Sequence, residues 1–198
     1  MKGEKCERRK KELLKIAYRM LIEKGYDNTS IDKIIAEAGI AKGTYYYHFP
    51  SKEAALEAVT DMMIDEEAER ARAVVAAPIP VPQKVVAVVM NMRPLQEESD
   101  ITVTLERSEN IVMHEKINSR LLKAIVHILA EVVKEGVTQG IFDCNYIEER
   151  VKLIVIISQR MFDSDSFTER DIAVFIDMVE KTLGAKTGTM DFIKELIH

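Results

Sequence analysis

Apolar residues recur along most of the chain at intervals of three and four, the spacing that places them on one face of an α-helix. Between Glu7 and Lys24 one stripe is formed by Leu13, Ala17, Met20 and Leu21, and Gly25 provides a natural end to that helix. Further helices are predicted over the approximate ranges 29–38, 42–49, 51–76, 83–91, 114–139, 146–162, 169–183 and 187–198. The pattern therefore predicts an all-α fold.

Residues 101–107 depart from this pattern. They are rich in β-branched side chains and alternate between apolar and polar positions, as a strand would. A strand needs a hydrogen-bonded partner, and the chain has no second alternating segment. We therefore predict a short helix here as well.

Short-range signals divide the first fifty residues into three helices. Thr29 and Asp32 have the spacing of a capping box at the start of the second helix, Gly39 follows its end, and Pro50 follows the third helix. Two short helices joined by a Gly-containing turn and braced by a longer one form a helix-turn-helix, whose last helix enters the DNA major groove. The sequence thus predicts a helix-turn-helix domain over residues 1–50 and a larger helical body over 51–198.

The charge of the chain is unevenly distributed. The net charge of −5, taken alone, argues against a nucleic-acid partner. Residues 1–50 nevertheless carry eleven Lys and Arg against seven Asp and Glu, a net charge of +4, while residues 51–198 carry −9. DNA would repel the acidic body, which favours docking through the N-terminal part. The average charge therefore does not exclude DNA binding but indicates which part of the chain binds.

The third predicted helix carries side chains suited to DNA. It contains no Asp or Glu, and its hydroxyl, ammonium and imidazole groups can donate to phosphate oxygens and base edges. Its three adjacent tyrosines cannot all face one core, because neighbours on a helix point about 100° apart. The N-termini of the second and fourth helices favour phosphate as well. The candidate DNA contacts are Thr29, Ser30, Lys42, Gly43, Thr44, Tyr45, Tyr46, Tyr47, His48 and Lys52. The alternative is a structural helical hairpin with a solvated aromatic cluster.

A resemblance to TetR-family transcription regulators is carried by residues 29–53, TSIDKIIAEAGIAKGTYYYHFPSKE, and extends over about residues 8–56. Three positions depart from the family pattern: Ile35 replaces a common Ala, Ala41 a common capping Ser, and Tyr45 a common aliphatic residue. The resemblance implies a homodimeric repressor on a palindromic operator in double-stranded DNA, released when a small-molecule effector binds the body. By position it assigns DNA contacts to Lys42, Gly43, Thr44, Tyr46, His48 and, at the phosphates, Lys52.

Two helices of the body are predicted to form the dimer interface. Residues 153–157 are all apolar, so the helix over 146–162 is apolar on every side, and the helix over 169–183 has a clean apolar stripe. Across a two-fold axis they would form a four-helix bundle. The predicted interface residues are Val151, Ile154, Val155, Ser158, Phe162, Ile172, Phe175, Ile176, Val179 and Leu183. The alternative is that both helices only close the core of one chain.

The resemblance also implies an effector pocket between helices of the body. The ten methionines of the chain can form adaptable apolar walls, which suit a small apolar or amphipathic effector. The candidate contacts are Met90, Met113, His114, His127, Phe142 and Met161. Methionine at helical spacing is also common core filler. A body without a cavity would indicate a DNA binder that is constitutive or controlled by a partner protein.

Other classes of protein find little support in the sequence. Asp143 and Cys144 with His127 could supply a nucleophile and a base, but nothing places them together and no catalytic motif occurs, so we expect no enzymatic activity. Four His and two Cys lack metal-ligand spacing, and we expect neither a metal nor another cofactor. With two cysteines, no signal-peptide pattern and no membrane-length apolar run, we expect a cytoplasmic protein that does not associate with membranes.

Overall fold

The computed structural model describes residues 2–92, 101, 111–162 and 168–196, and the regular structure in these ranges is helical. This confirms the all-α prediction. Within the same ranges no helix is long and apolar enough to cross a membrane. The helices are α1 (Lys2–Asn28), α2 (Ile31–Ala38), α3 (Lys42–His48), α4 (Lys52–Val75), α5 (Val81–Asn91), α6 (Ile111–Thr138), α7 (Ile147–Phe162), α8 (Glu169–Leu183) and α9 (Ile193–Leu196).

The chain divides into two compact units, and the division falls within α4 and α6. The first unit comprises Met1–Glu66 with Pro94–Ser119, and the second comprises Glu67–Arg93 with Arg120–His198. The helices α1, α2 and α3 therefore belong to the first unit, and α5, α7, α8 and α9 belong to the second.

The first unit is built around the apolar stripe of α1. The predicted stripe residues Leu13, Ala17, Met20 and Leu21 are buried, and each fully buried Leu or Met contributes about 1.5–3 kcal/mol relative to exposure. The predicted helix end at Gly25 is a kink, since this residue has φ 74° and ψ 165°, a conformation that glycine adopts without steric cost. One further turn then continues to the end of α1.

The start of α2 is capped one residue later than the sequence predicts. The side chain of Ser30, rather than that of Thr29, accepts a hydrogen bond from the Lys33 amide at 3.3 Å. The buried Thr29 hydroxyl instead lies 3.1 Å and 2.8 Å from the carbonyl oxygens of Met20 and Gly25. Thr29 therefore joins the start of α2 to the kinked part of α1.

The turn between α2 and α3 follows the predicted signals. Gly39 ends α2 in the left-handed conformation, with φ 59° and ψ 39°. Ala41 precedes α3 and makes no side-chain capping bond, as its departure from the family pattern predicts. The third helix ends at His48, two residues before Pro50. The helix-turn-helix geometry is thus present within the first unit.

The second unit has its own hydrophobic core, to which α4, α5, α6, α7, α8 and α9 all contribute buried residues. The predicted capping box of α8 is confirmed: the Asp171 amide donates to the Thr168 hydroxyl at 3.3 Å, and the Thr168 amide donates to the Asp171 carboxylate at 2.8 Å. Such a cap satisfies backbone donors that the first helical turn leaves without partners.

After α8, buried Glu180 holds the following segment in place. Its carboxylate accepts hydrogen bonds from the amides of Gly188, at 3.1 Å, and Met190, at 2.7 Å. A helix was predicted over 187–198, but residues 187–192 form turns, and the regular helix among the described residues is confined to α9. Of the short helix predicted over 101–107, Ile101 is helical and buried, and residues 102–107 lie outside the described residues.

Candidate nucleic-acid interface

The three adjacent tyrosines of α3 point in different directions. Tyr45 is 0% exposed, whereas Tyr46 is 43% and Tyr47 is 76% exposed. The Tyr45 ring packs edge-on against Tyr46, at 5.6 Å between centroids, and at a tilted angle against Phe49, at 5.8 Å. Burial raises the pKa of the Tyr45 hydroxyl to about 12, with Tyr46, Glu53 and Tyr26 adding to the increase. Tyr45 was among the candidate DNA contacts, but its side chain belongs to the core, because its ring is buried against Phe49 and does not reach solvent.

The remaining candidates of α3 are exposed or half-buried. Lys42 and Gly43 are exposed, and Thr44 and His48 are half-buried. The Lys42 ammonium pairs with the Asp32 carboxylate of α2 at 3.3 Å, and both side chains stay largely in solvent. A solvent-exposed pair of this kind contributes little to stability, so the ammonium can exchange the carboxylate for a phosphate at low cost.

The two candidates at the start of α2 have different environments. Ser30 is exposed beside the first turn of α2, where backbone amides and the helix dipole favour an anion. Thr29 is 0% exposed, and its hydroxyl is engaged with backbone carbonyls, so its side chain is not available to DNA. The sequence pattern placed both at the helix start because it cannot distinguish a cap from its buried neighbour.

Lys52, the last candidate, begins α4 and is half-buried. Its ammonium donates to the Tyr26 carbonyl oxygen at 2.6 Å and lies 3.7 Å from the centroid of the Tyr26 ring. Partial burial lowers the pKa of the Lys52 amino group, although Asp27 and Glu53 act in the opposite direction. Sequence reasoning missed Tyr26, which lies 26 positions earlier in the chain, and no periodic signal connects the two residues.

Residues 13–59 match the model of the family described as bacterial regulatory proteins, tetR family, and this span includes α2, α3 and the turn between them. The chain is also 27% identical over 133 residues to the fatty acid metabolism regulator protein of Bacillus subtilis, an alignment that covers 65% of this chain and 68% of that protein. The match over residues 13–59 indicates the TetR family for the N-terminal part of the chain. The chain is a helix-turn-helix, DNA-binding transcriptional regulator.

The chain is similar to further proteins along most of its length. It is 28% identical over 138 residues to the HTH-type transcriptional repressor KstR2 of Rhodococcus jostii, covering 68% of each chain. The crystal structure of RolR in complex with the ligand resorcinol superposes with a TM-score of 0.64 at 16% identity, covering 98% of this chain and 95% of RolR. At that identity, the structural similarity shows a shared fold.

The predicted dimer-interface residues lie mostly in the core of a single chain. Val151, Ile154, Val155, Ile172, Ile176, Val179 and Leu183 are buried in the core of the second unit. Phe175 is half-buried and packs against that core, the Ser158 hydroxyl donates to the Val155 carbonyl at 2.8 Å, and the Phe162 side chain lies outside the described residues. The stripe residues therefore close the core of the monomer, because they provide the face that α7 and α8 turn inwards.

The same two helices present other apolar residues to solvent. Leu153 is 57% exposed and Val174 is 62% exposed, and Ile156 and Ile157 are exposed as well. A helix with one buried stripe ordinarily carries polar residues on the opposite face, whereas the apolar run over 153–157 places apolar residues there. Exposed apolar residues on neighbouring helices are typical of a subunit interface.

The described effector candidates differ in their environments within the second unit. Met90 is exposed, His127 pairs on the surface with Glu131 at 3.5 Å, and Phe142 is buried in the core. Met161 is half-buried against the same core. The side chains of Met113 and His114 lie outside the described residues.

The alternative chemistry of Cys144 receives no support from its environment. Its thiol is buried, and burial raises its pKa, which disfavours the thiolate that a nucleophile requires. Over the described ranges, no cluster of three or more His, Cys, Asp or Glu is arranged to hold a metal ion.

Proposed function

We propose that this protein is a cytoplasmic, homodimeric repressor that binds a palindromic operator through residues 1–50. A small apolar or amphipathic effector, bound by residues 51–198, releases it. The exposed face of α3 carries this proposal: Tyr46 and Tyr47 lie in solvent on a helix without acidic residues, next to the exposed N-terminus of α2. Exposed aromatic rings are unfavourable in water unless they bind a partner, and tyrosine offers both a donor and an apolar edge to a base.

Gly43 supports the same interpretation. Within a helix, glycine costs about 1 kcal/mol relative to alanine. No described atom lies within 4 Å of the position that a Cβ at residue 43 would occupy, so packing does not require glycine there. The missing side chain instead leaves room for a DNA backbone to approach the start of α3.

The dimer is proposed to form through the exposed apolar side chains of α7 and α8, namely Leu153, Ile156, Ile157 and Val174. These residues lie on the helices that the sequence assigned to the interface, but on their outward faces. Burying them against a second copy would remove apolar surface from water at about 25 cal/mol per Å². A two-fold dimer would also present two helix-turn-helix domains, which a palindromic operator requires.

The effector class is inferred from two similar proteins. RolR, which shares this fold, binds resorcinol in its crystal structure, and the relative from Bacillus subtilis is named for fatty acid metabolism. Both are consistent with an effector that has a large apolar part. The alternative is a DNA binder without a small-molecule effector, constitutive or controlled by a partner protein.

Selection of duplexes from a randomised library tests DNA binding. The enriched sequences should be palindromic, and the affinity for them should fall steeply with salt. Tyr46→Ala should weaken binding about tenfold, in the range of one lost base contact. Tyr146→Ala is the matched control, because Tyr146 is 77% exposed but belongs to the second unit. No enrichment, or equal affinity of the Tyr46 variant, would remove this face as the DNA-binding surface.

Thermal denaturation tests the effector. Resorcinol and free fatty acids of several chain lengths are added to the protein, and a ligand that binds the folded state raises the melting temperature. The same ligand should release the selected duplex. If no compound in the panel produces a shift, the protein without a small-molecule effector becomes the favoured alternative.

A further inference from the structure

The end of α1 and the first turn of α4 meet through one aromatic residue. Tyr26 follows the kink at Gly25 and lies close to both Lys52 and Glu53. The Lys52 ammonium donates to the Tyr26 carbonyl oxygen at 2.6 Å and lies 3.7 Å from the centre of the Tyr26 ring. The Tyr26 hydroxyl lies 3.3 Å from Glu53 Oε1 and donates to it. One residue thus contacts two consecutive residues of α4 through three different groups.

This contact compensates an unfavourable placement of charge. A cation at a helix N-terminus is repelled by the helix dipole, and Lys52 is the first residue of α4. The carbonyl and the ring face of Tyr26 are both electron-rich and attract the ammonium. The carbonyl and the ring together hold the Lys52 ammonium in one position, although its flexible four-carbon side chain has high rotamer entropy.

The neighbouring carboxylate reinforces the arrangement. The pKa of Glu53 is lowered by its own backbone amide, by the Ser51 hydroxyl and by the Tyr26 hydroxyl, which all hydrogen-bond to the ionised form. The Ser51 side chain also accepts a hydrogen bond from the Ala54 amide at 3.1 Å. Several hydrogen bonds therefore hold the first turn of α4, and those made by Tyr26 come from another helix, α1.

We propose that Tyr26 is a positioning residue for DNA binding, which holds the Lys52 ammonium at the start of α4 where it can meet a backbone phosphate. The proposal rests on the proposed function, in which Lys52 contacts phosphate. An ammonium has three N–H donors, so the group can keep its bond to the Tyr26 carbonyl while it donates to a phosphate oxygen. Holding the side chain in advance lowers the entropy lost on binding.

A double-mutant cycle on the selected duplex tests this coupling. Tyr26→Leu should lower the affinity about 3- to 10-fold in the wild-type background, and less than about twofold when Lys52 is already Met. Lys52→Met should reduce the slope of log affinity against log salt by about one. Both variants keep the backbone carbonyl of residue 26, but only Tyr26→Phe keeps the aromatic ring, so its affinity should stay within about twofold of the wild type.

The readouts separate positioning from a general structural role. The Lys52 side-chain methylene protons next to the ammonium should show an upfield ring-current shift in the wild type and in Tyr26→Phe, and lose it in Tyr26→Leu. An equal loss of affinity in both Lys52 backgrounds would overturn the proposal, and so would a Tyr26→Phe variant as weak as Tyr26→Leu. If Tyr26→Leu does not fold, the phenylalanine variant and its proton shifts still decide the question. A wild type that binds no duplex would refute the proposed function itself.

Discussion

Replacing Tyr45 by Phe should stabilise this protein, which is unusual for a core substitution. The ring is fully buried, and its hydroxyl has no hydrogen-bond partner among the described residues. A buried hydroxyl without a partner costs about 1–3 kcal/mol, whereas the phenyl ring keeps the contacts with Tyr46 and Phe49. We expect a gain of about 1 kcal/mol in the free energy of unfolding, and an increase of about 2–4 °C in melting temperature for a chain of this size.

Urea and thermal unfolding at pH 7 measure this gain, with Tyr46→Phe as the matched control. The control removes a hydroxyl from an exposed ring on the same helix and should change stability by less than about 0.5 kcal/mol. Because the Tyr45 hydroxyl is inaccessible, Tyr45→Phe should bind the selected duplex as the wild type does. A destabilised variant, or one with weakened DNA binding, would refute the reasoning, since either result would show that the hydroxyl makes a favourable contact.

The pH dependence gives a second, independent measurement of the same hydroxyl. The pKa of Tyr45 is raised to about 12 in the folded state, above the ordinary value of 10.0. The unfolded chain therefore ionises first, and wild-type stability declines as the pH rises from about 10 to 12. Tyr45→Phe lacks this contribution, so the stability difference between variant and wild type should widen above pH 10. A constant difference would contradict the assigned pKa.

Three further predictions concern the second unit. Gly184→Ala should lower the free energy of unfolding in urea by about 2–5 kcal/mol, because φ is +63° and a Cβ would lie 2.1 Å from the Asp143 carbonyl oxygen. The control Gly140→Ala, at φ +69° with no described atom within 4 Å, should lower it by only about 1–2 kcal/mol. Equal losses in the two variants would contradict the predicted clash. Leu153→Glu should yield monomers with unchanged helix content in sedimentation and circular dichroism, whereas a persistent dimer would place the interface elsewhere. The pKa of Asp171 is lowered by hydrogen bonds from Thr168, so the ionised carboxylate stabilises the folded protein above about pH 4, and this stabilisation is lost as the pH falls. In Asp171→Asn the stability should therefore depend less on pH in the acid range. Parallel stability–pH curves for the variant and the wild type would contradict this role of Asp171.

The sequence alone predicted the helices and many of their ends, because these depend on residues within a few positions of each other. Gly39 ends α2, and Thr168 with Asp171 caps α8, as the local pattern predicts. The helix-turn-helix motif was predicted in the same way, because residues 29–53 contain its two short helices and the turn between them within a short stretch of chain. Such signals are satisfied by hydrogen bonds that close within one helical turn.

Only the tertiary structure decided what the apolar face of each helix packs against. The stripe of α8, including Ile172 and Ile176, was predicted to meet a second copy of the chain but packs in its own core. The hydrophobic effect is non-directional, so a stripe shows that a face seeks apolar surface without indicating which surface it meets. The exposed face with Leu153 and Val174, and the inward turn of Tyr45, emerged only once all helices were in place.

The contact between Tyr26 and Lys52 was likewise decided only by the tertiary structure. Each residue is unremarkable in its own segment, and the ring comes within 3.7 Å of the ammonium only because the kinked end of α1 and the start of α4 lie side by side. The sequence by itself determined the family motif, the helices and the charge that would meet DNA. The fold decided which side chains reach solvent and which are held by a neighbour, because those contacts join residues that are distant in the chain.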